Sequence, residues 1–109
     1  MKLYRVIILP AAERDIGDAY EWLADQDAEA AIRWYNQLLD VILSLESFPE
    51  RCPLAPEGEF LNTDIREIFH GRRQHKYRIL FTVSENAVHV LHVRHGARRA
   101  WGETQTSEE

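Results

Sequence analysis

Arginine and histidine are the side chains whose type and placement stand out in this chain. From Ile65 to Arg99 it reads IREIFHGRRQHKYRILFTVSENAVHVLHVRHGARR. This window holds eight of the 13 Lys and Arg residues, namely Arg66, Arg72, Arg73, Lys76, Arg78, Arg94, Arg98 and Arg99, and all five His, namely His70, His75, His89, His92 and His95. Only Glu67 and Glu85 oppose them, so the window carries a net +6 within a chain of net −5. Arg offers fixed donors to phosphate oxygens and to charge that develops in a transition state. His carries protons near neutral pH. Together they suit phosphodiester chemistry, with Arg66, Arg78 and Arg98 on phosphate and His92 or His95 as acid or base. The same cations could instead pair with acids, either in this chain (Asp64, Glu67, Glu85) or on an acidic partner protein.

Other chemistries find less support. His89, His92 and His95 are spaced i, i+3, i+6, which could converge on a helix. On a strand, His92 points away from the other two, and His89 and His95 stand ~20 Å apart at ~3.3 Å per residue. No Cys pair or HExxH helix accompanies them, so no metal site is expected. None of the four serines lies in a G-x-S-x-G elbow, and no Gly-rich phosphate loop is present. Cys52, the one cysteine, sits in the Pro-rich run Phe48-Pro49-Glu50-Arg51-Cys52-Pro53 and reads as structural. No cofactor is expected.

The elements that must position these groups follow from periodicity. Lys2 to Leu9 reads as a strand. Pro10 then opens a helix at a position where its missing N–H costs nothing, and Ala12, Ile16, Ala19, Tyr20 and Leu23 recur at helical spacing. Asp25-Gln26-Asp27 is a break rich in N-cap residues. A second helix carries an apolar stripe of Ala31, Trp34, Tyr35, Leu38, Leu39, Ile42 and Leu45 and ends at Ser47-Phe48-Pro49. The two form an antiparallel hairpin. Residues 49 to 63, with Pro49, Pro53, Pro56 and Gly58, read as an irregular connection. Three strands follow, Asp64 to His70, Lys76 to Ser84 and Ala87 to His95, with short links that imply an antiparallel meander. The fold class is therefore α+β, with two helices packed on one face of a small sheet. On the middle strand of the meander, Tyr77, Ile79, Phe81 and Val83 face the helices, and Arg78, Leu80 and Thr82 face away. On the last strand both faces are mixed, and alternation does not sort them.

Length and composition bound the rest. A chain of 109 residues with 45% apolar content matches one globular domain, placed at residues 1–101, with an acidic tail at 102–109 expected to fray. The apolar runs fall far short of a membrane span, and a single cysteine suits a reducing cytoplasm. Residues 1–50 hold ten acids against Lys2, Arg5, Arg14 and Arg33, a net of −6. A nucleic acid would have to approach from the sheet side.

The segments LPAAERDIGDAYEWLA, AAIRWYNQLLDVILSLESFPE, IREIFHG, HKYRILFTV and VHVLHVRHGARR, in that order over nearly the whole chain, resemble the RelE/ParE superfamily of toxins from type II toxin–antitoxin modules, including those described as plasmid stabilisation proteins. The resemblance implies a helical hairpin against a curved antiparallel sheet. It also implies a cognate antitoxin that wraps a partly disordered segment around the toxin in a hetero-oligomeric complex.

Function divides within that superfamily. RelE-like members cut mRNA in the ribosomal A site, and ParE-like members inhibit DNA gyrase. By resemblance the central-strand arginine falls on Arg78, an upstream basic position on Arg66 and a C-terminal one on Arg98, with His92 and His95 as the acid–base candidates of a nuclease. The cleaving members usually end in a Tyr or His-Tyr pair, where this chain has Ala100-Trp101-Gly102, and the VRHGARR ending sits closer to the ParE side. The expectation is a ParE-like toxin that inhibits gyrase and is neutralised by an acidic antitoxin segment lying along Arg66, Arg72, Arg73, Arg78 and Arg94. The alternatives are a ribosome-dependent mRNA endonuclease and a non-toxic antitoxin-binding module.

Overall fold

The computed structural model describes residues 2–71 and 76–96. Strand β1 (Arg5–Ile8) leads into helix α1 (Pro10–Gln26), which turns directly into helix α2 (Ala28–Leu43). Only Asp27 separates the two helices. Its extended backbone breaks the helix, and its carboxylate accepts the Glu29 and Ala30 N–H groups at 3.1 Å each, which adds about 1 kcal/mol as an N-cap. The chain continues through two short 3-10 turns, Ser44–Glu46 and Pro49–Arg51, to a short helix α3 (Glu57–Leu61) and then to strands β2 (Arg66–His70), β3 (Tyr77–Val83) and β4 (Ala87–His95). Helix α3 lies inside the segment that reads from sequence as irregular.

The four strands form one sheet in the order β1-β4-β3-β2. β2, β3 and β4 make the expected antiparallel meander. β1 joins β4 in parallel, with Arg5 opposite Ala87 and Ile8 opposite Val90; the helical hairpin serves as the crossover that a parallel pair requires. The fold is thus α+β, as the sequence implies.

The helices cover one face of the sheet. Ala12 and Ile16 of α1 and Trp34, Leu38 and Ile42 of α2 pack with Tyr77, Ile79, Phe81, Val88, Val90 and Val93 in the main core. The parity read from β3 is the parity observed. β4 switches sides partway along. Leu80 pairs with His92 but Phe81 pairs with Val90, so Leu91 is an extra residue in a β-bulge. Val88 and Val90 reach the core before the bulge and Val93 after it, one residue out of phase. That is why alternation fails to sort this strand.

The opposite face of the sheet is covered as well. Residues 53–65 fold across it, and Ala55 and Ile65 pack on Leu80 and Leu91 in a second, small apolar cluster. The Ala55 N–H to Ile65 carbonyl bond (2.7 Å), the Glu67 N–H to Pro53 carbonyl bond (3.1 Å) and the Leu54–Arg66 bridge tie this strap to β2.

Candidate functional site

The strap decides the fate of the central arginine. Arg78 points to the strap side of β3, beside Leu80, where a cation under a protein cover must be matched by charge. Glu57, from the first turn of α3, meets it from above. Arg78 Nη1 donates to Glu57 Oε2 and Nη2 to Glu57 Oε1, both at 2.8 Å. Glu67, on the neighbouring strand, accepts from Nε at 3.0 Å and from Nη2 at 2.8 Å. Arg78 is 7% exposed and Glu57 0%. The Glu57 hydrogen bonds, followed by those from Glu67, raise the guanidinium pKa against the opposing effect of burial. The sequence reading puts Arg78 on an open working face as a phosphate ligand or partner contact. The structure places Arg78 at the buried centre of an intramolecular ion cluster with Glu57 and Glu67. Glu67 is among the acids weighed from sequence as its partner. Glu57 is not; it falls in the stretch 49–63 that reads as an irregular connection.

Arg66 is engaged in a different way. Its Nη1 donates to the Cys52 carbonyl at 2.6 Å and to the Glu50 carbonyl at 3.3 Å. It closes the loop between the second 3-10 turn and the strap. The Cys52 thiol beneath that loop is buried, and burial raises its pKa, with Arg51 and Arg66 pulling weakly the other way. A thiol in that setting is a poor nucleophile.

The histidines divide between the two faces. His92 Nδ1 lies 2.8 Å from Asp15 Oδ2, and the same oxygen accepts the Val93 N–H at 3.0 Å. β1 leaves the sheet at Ile8, opposite Val90, so β4 continues past it as an edge, and the α1 carboxylate takes the place of the missing strand. His95 stacks edge-on to Tyr77 with ring centroids 5.3 Å apart, and Tyr77 in turn meets Trp34 at 5.2 Å. His70 lies on the helix side, opposite Tyr77. Burial holds its pKa below the ordinary value, and a hydrogen bond to the Trp34 backbone opposes that more weakly. Arg94 is directly opposite Arg78 on β4 and is half-buried. Arg66 thus closes a loop, Arg78 is enclosed by Glu57 and Glu67, His92 lies against Asp15 and His95 against Tyr77, and on β4 His92 stands opposite Leu80 and Arg94 opposite Arg78. Arg72, Arg73 and Arg98, together with the expected tail at 102–109, lie outside the described residues. Among the described residues no group of three His, Cys, Asp or Glu could hold a metal ion, and no helix is long and apolar enough to cross a membrane.

Chemically, the arrangement contains one histidine–carboxylate pair and one internally neutralised arginine. Several large apolar side chains are also accessible. A groove of about 400 Å³ between α1 and α2 is lined by Ile16, Gly17, Tyr20, Ile32, Tyr35 and Leu39, with Tyr20 and Tyr35 edge to face at 5.9 Å. A second apolar area lies on the outside of the strap, at Leu54, Phe60 and Leu61. Surfaces of this kind bind proteins. A family model described as ParE toxin of type II toxin–antitoxin system, parDE, matches residues 6–100. No curated protein matches the chain.

Proposed function

Because the chain belongs to the ParE toxin family of type II toxin–antitoxin systems, a membership that implies a cognate antitoxin, we propose that it arrests growth in the cytoplasm by binding and inhibiting DNA gyrase. The observation that carries this reading is the enclosure of Arg78 by Glu57 and Glu67. A catalyst of phosphodiester cleavage needs a cation placed against the phosphate. Here the central-strand cation is paired from within by Glu57 and Glu67, while several large apolar side chains stand exposed. An inhibitor that works by gripping a protein loses nothing by this. The antitoxin neutralises it by binding, with Arg72, Arg73 and Arg94 as the cations offered to an acidic segment. The test is supercoiling by purified gyrase in the presence of the free protein. Inhibition that the antitoxin reverses is expected, and undisturbed supercoiling at stoichiometric excess overturns the reading.

A second reading rests on one specific observation, the Asp15–His92 pair at 2.8 Å. A carboxylate that orients an imidazole is the arrangement of a general acid or base, as in a ribosome-dependent mRNA endonuclease. Toeprinting on translating ribosomes decides it. Cleavage lost in His92→Gln favours this reading, and the absence of any cleavage by the wild-type protein removes it.

A further inference from the structure

The strap is built at odds with the rule that large apolar side chains go inside. Of its apolar residues, only Ala55 and Ile65 are buried, while Leu54, Phe60 and Leu61 are each more than half exposed. The segment contributes little to the core, yet it is held firmly. Glu57 anchors it to Arg78 through two bonds of 2.8 Å. The Asn62 backbone is left-handed at φ 56° and ends α3, letting the Thr63 N–H return to the Gly58 carbonyl at 3.1 Å. Gly58 is required there, because a side-chain carbon would collide with the Thr63 carbonyl. A surface that is fixed before it binds loses little entropy on binding. The charged residues of the strap itself are all acidic. The groove of about 490 Å³ on this face is bordered by Leu54, Pro56, Glu59, Asn62 and Asp64, with no basic residue in its lining among the described residues. Residues 53–65 contain three acids and no Lys or Arg, and Glu57 is already committed to Arg78.

We propose that the outer face of the strap is a docking surface for a basic, apolar-anchored segment of a protein partner, whose aliphatic or aromatic side chains pack on Leu54, Phe60 and Leu61 and whose Lys or Arg side chains meet Glu59 and Asp64. An acidic antitoxin tail is the wrong charge for this face, so the occupant is a different protein. The inference rests on the reading that this toxin acts by gripping a protein target, and places one point of grip on the strap.

The probe is a synthetic 14-residue peptide alternating Leu with Arg, compared with the same peptide carrying Glu for Arg, each labelled and titrated with the full chain by fluorescence anisotropy. The Arg peptide should bind, more weakly at higher salt, and the Glu peptide should not. Affinity should fall about tenfold in Phe60→Ser/Leu61→Ser, as for loss of interface anchors, and also in Glu59→Gln/Asp64→Asn. All four positions are exposed, so thermal unfolding of the variants should match wild type. Equal binding by wild type and both double variants, equal binding of the two peptides, or no binding of the Arg peptide at all overturns the proposal. Each of these results leaves the supercoiling test untouched, and a negative supercoiling test leaves this one to be read by itself.

Discussion

Glu57 and Arg78, 21 positions apart, close a planar fork beneath the strap, with Nη1 to Oε2 and Nη2 to Oε1 both at 2.8 Å. The pair joins the middle of β3 to the first turn of α3. It is the principal polar tie between the sheet and a covering segment that buries only two apolar residues of its own, Ala55 and Ile65. The pair thereby pins the strap to the sheet.

Arg78→Ala should lower the unfolding free energy by about 3–5 kcal/mol, since it takes the guanidinium away from two carboxylates, one of them fully buried. Glu57→Ala should cost a similar amount. The double variant should cost much less than the two single losses combined, because each single change already removes the interaction. Urea denaturation of the four proteins gives the coupling energy, and strict additivity would refute the pin.

Much of this fold could be read from residue order, and the exceptions have physical causes. β3 was legible because Tyr77, Ile79 and Phe81 alternate without interruption. β4 was not, because the bulge at Leu91 shifts its phase. The cap at Asp27 was visible as an acid in a break. Pairing of β1 with β4 in parallel was not, since nothing local encodes which strand a crossover rejoins. The site was the least legible part. An arginine flanked by Tyr77, Ile79 and Leu80 implies a buried acid partner, but Glu57 lies 21 residues away in a stretch that reads as an irregular connection. Arg66 donates to carbonyls, a partner type that no side-chain pattern reveals.

Arg66→Ala should unlatch the loop over Cys52. Losing a charged donor to the Cys52 and Glu50 carbonyls should cost about 1.5 kcal/mol, and the open state of the loop should grow about tenfold by the same free energy. The Cys52 thiol, slow towards a disulfide reagent in wild type because it is buried, should react correspondingly faster. An unchanged thiol reaction rate would mean that the loop is held by something else.

His70 should make stability pH-dependent in a defined direction. Burial lowers its folded pKa below the unfolded value of about 6.5, so the unfolded chain binds more protons between the two values and stability rises with pH there. The contribution is complete above about 6.5 and is lost as pH falls through that value towards the lower folded pKa. The stability gap between wild type and His70→Gln should therefore be larger at pH 7.5 than at pH 5. Denaturation at the two pH values measures the gap, and a gap that widens at acid pH contradicts the assignment.

Phe48 occupies a left-handed backbone at φ 49° with its ring largely in solvent, a conformation costly for a bulky residue. Arg51 holds the turn, with Nη1 donating to the Ser47 carbonyl at 2.6 Å and to the Phe48 carbonyl at 3.1 Å. Phe48→Asn, which suits this backbone, should raise stability by about 0.5–1 kcal/mol. A loss of more than about 1 kcal/mol in thermal unfolding would show that the ring contributes packing despite its exposure.

Asp15 completes the sheet where β1 stops. Its Oδ2 accepts both the Val93 N–H at 3.0 Å and the contact to His92 Nδ1 at 2.8 Å, so one side chain satisfies an edge amide and orients an imidazole. Removing it leaves the Val93 N–H, on a buried residue, without its acceptor, at a cost of about 1–3 kcal/mol. Asp15→Ala should lose that amount and speed amide exchange at Val93 more than at Leu9, whose N–H still donates to the Val90 carbonyl. His92→Gln keeps the Val93 bond and should spare its exchange rate. The two variants thus separate the structural duty of Asp15 from its duty to His92. If the protein only grips its target, both variants should inhibit gyrase as wild type does wherever they remain folded. If it cuts RNA, His92→Gln should abolish cleavage with the Val93 amide still protected.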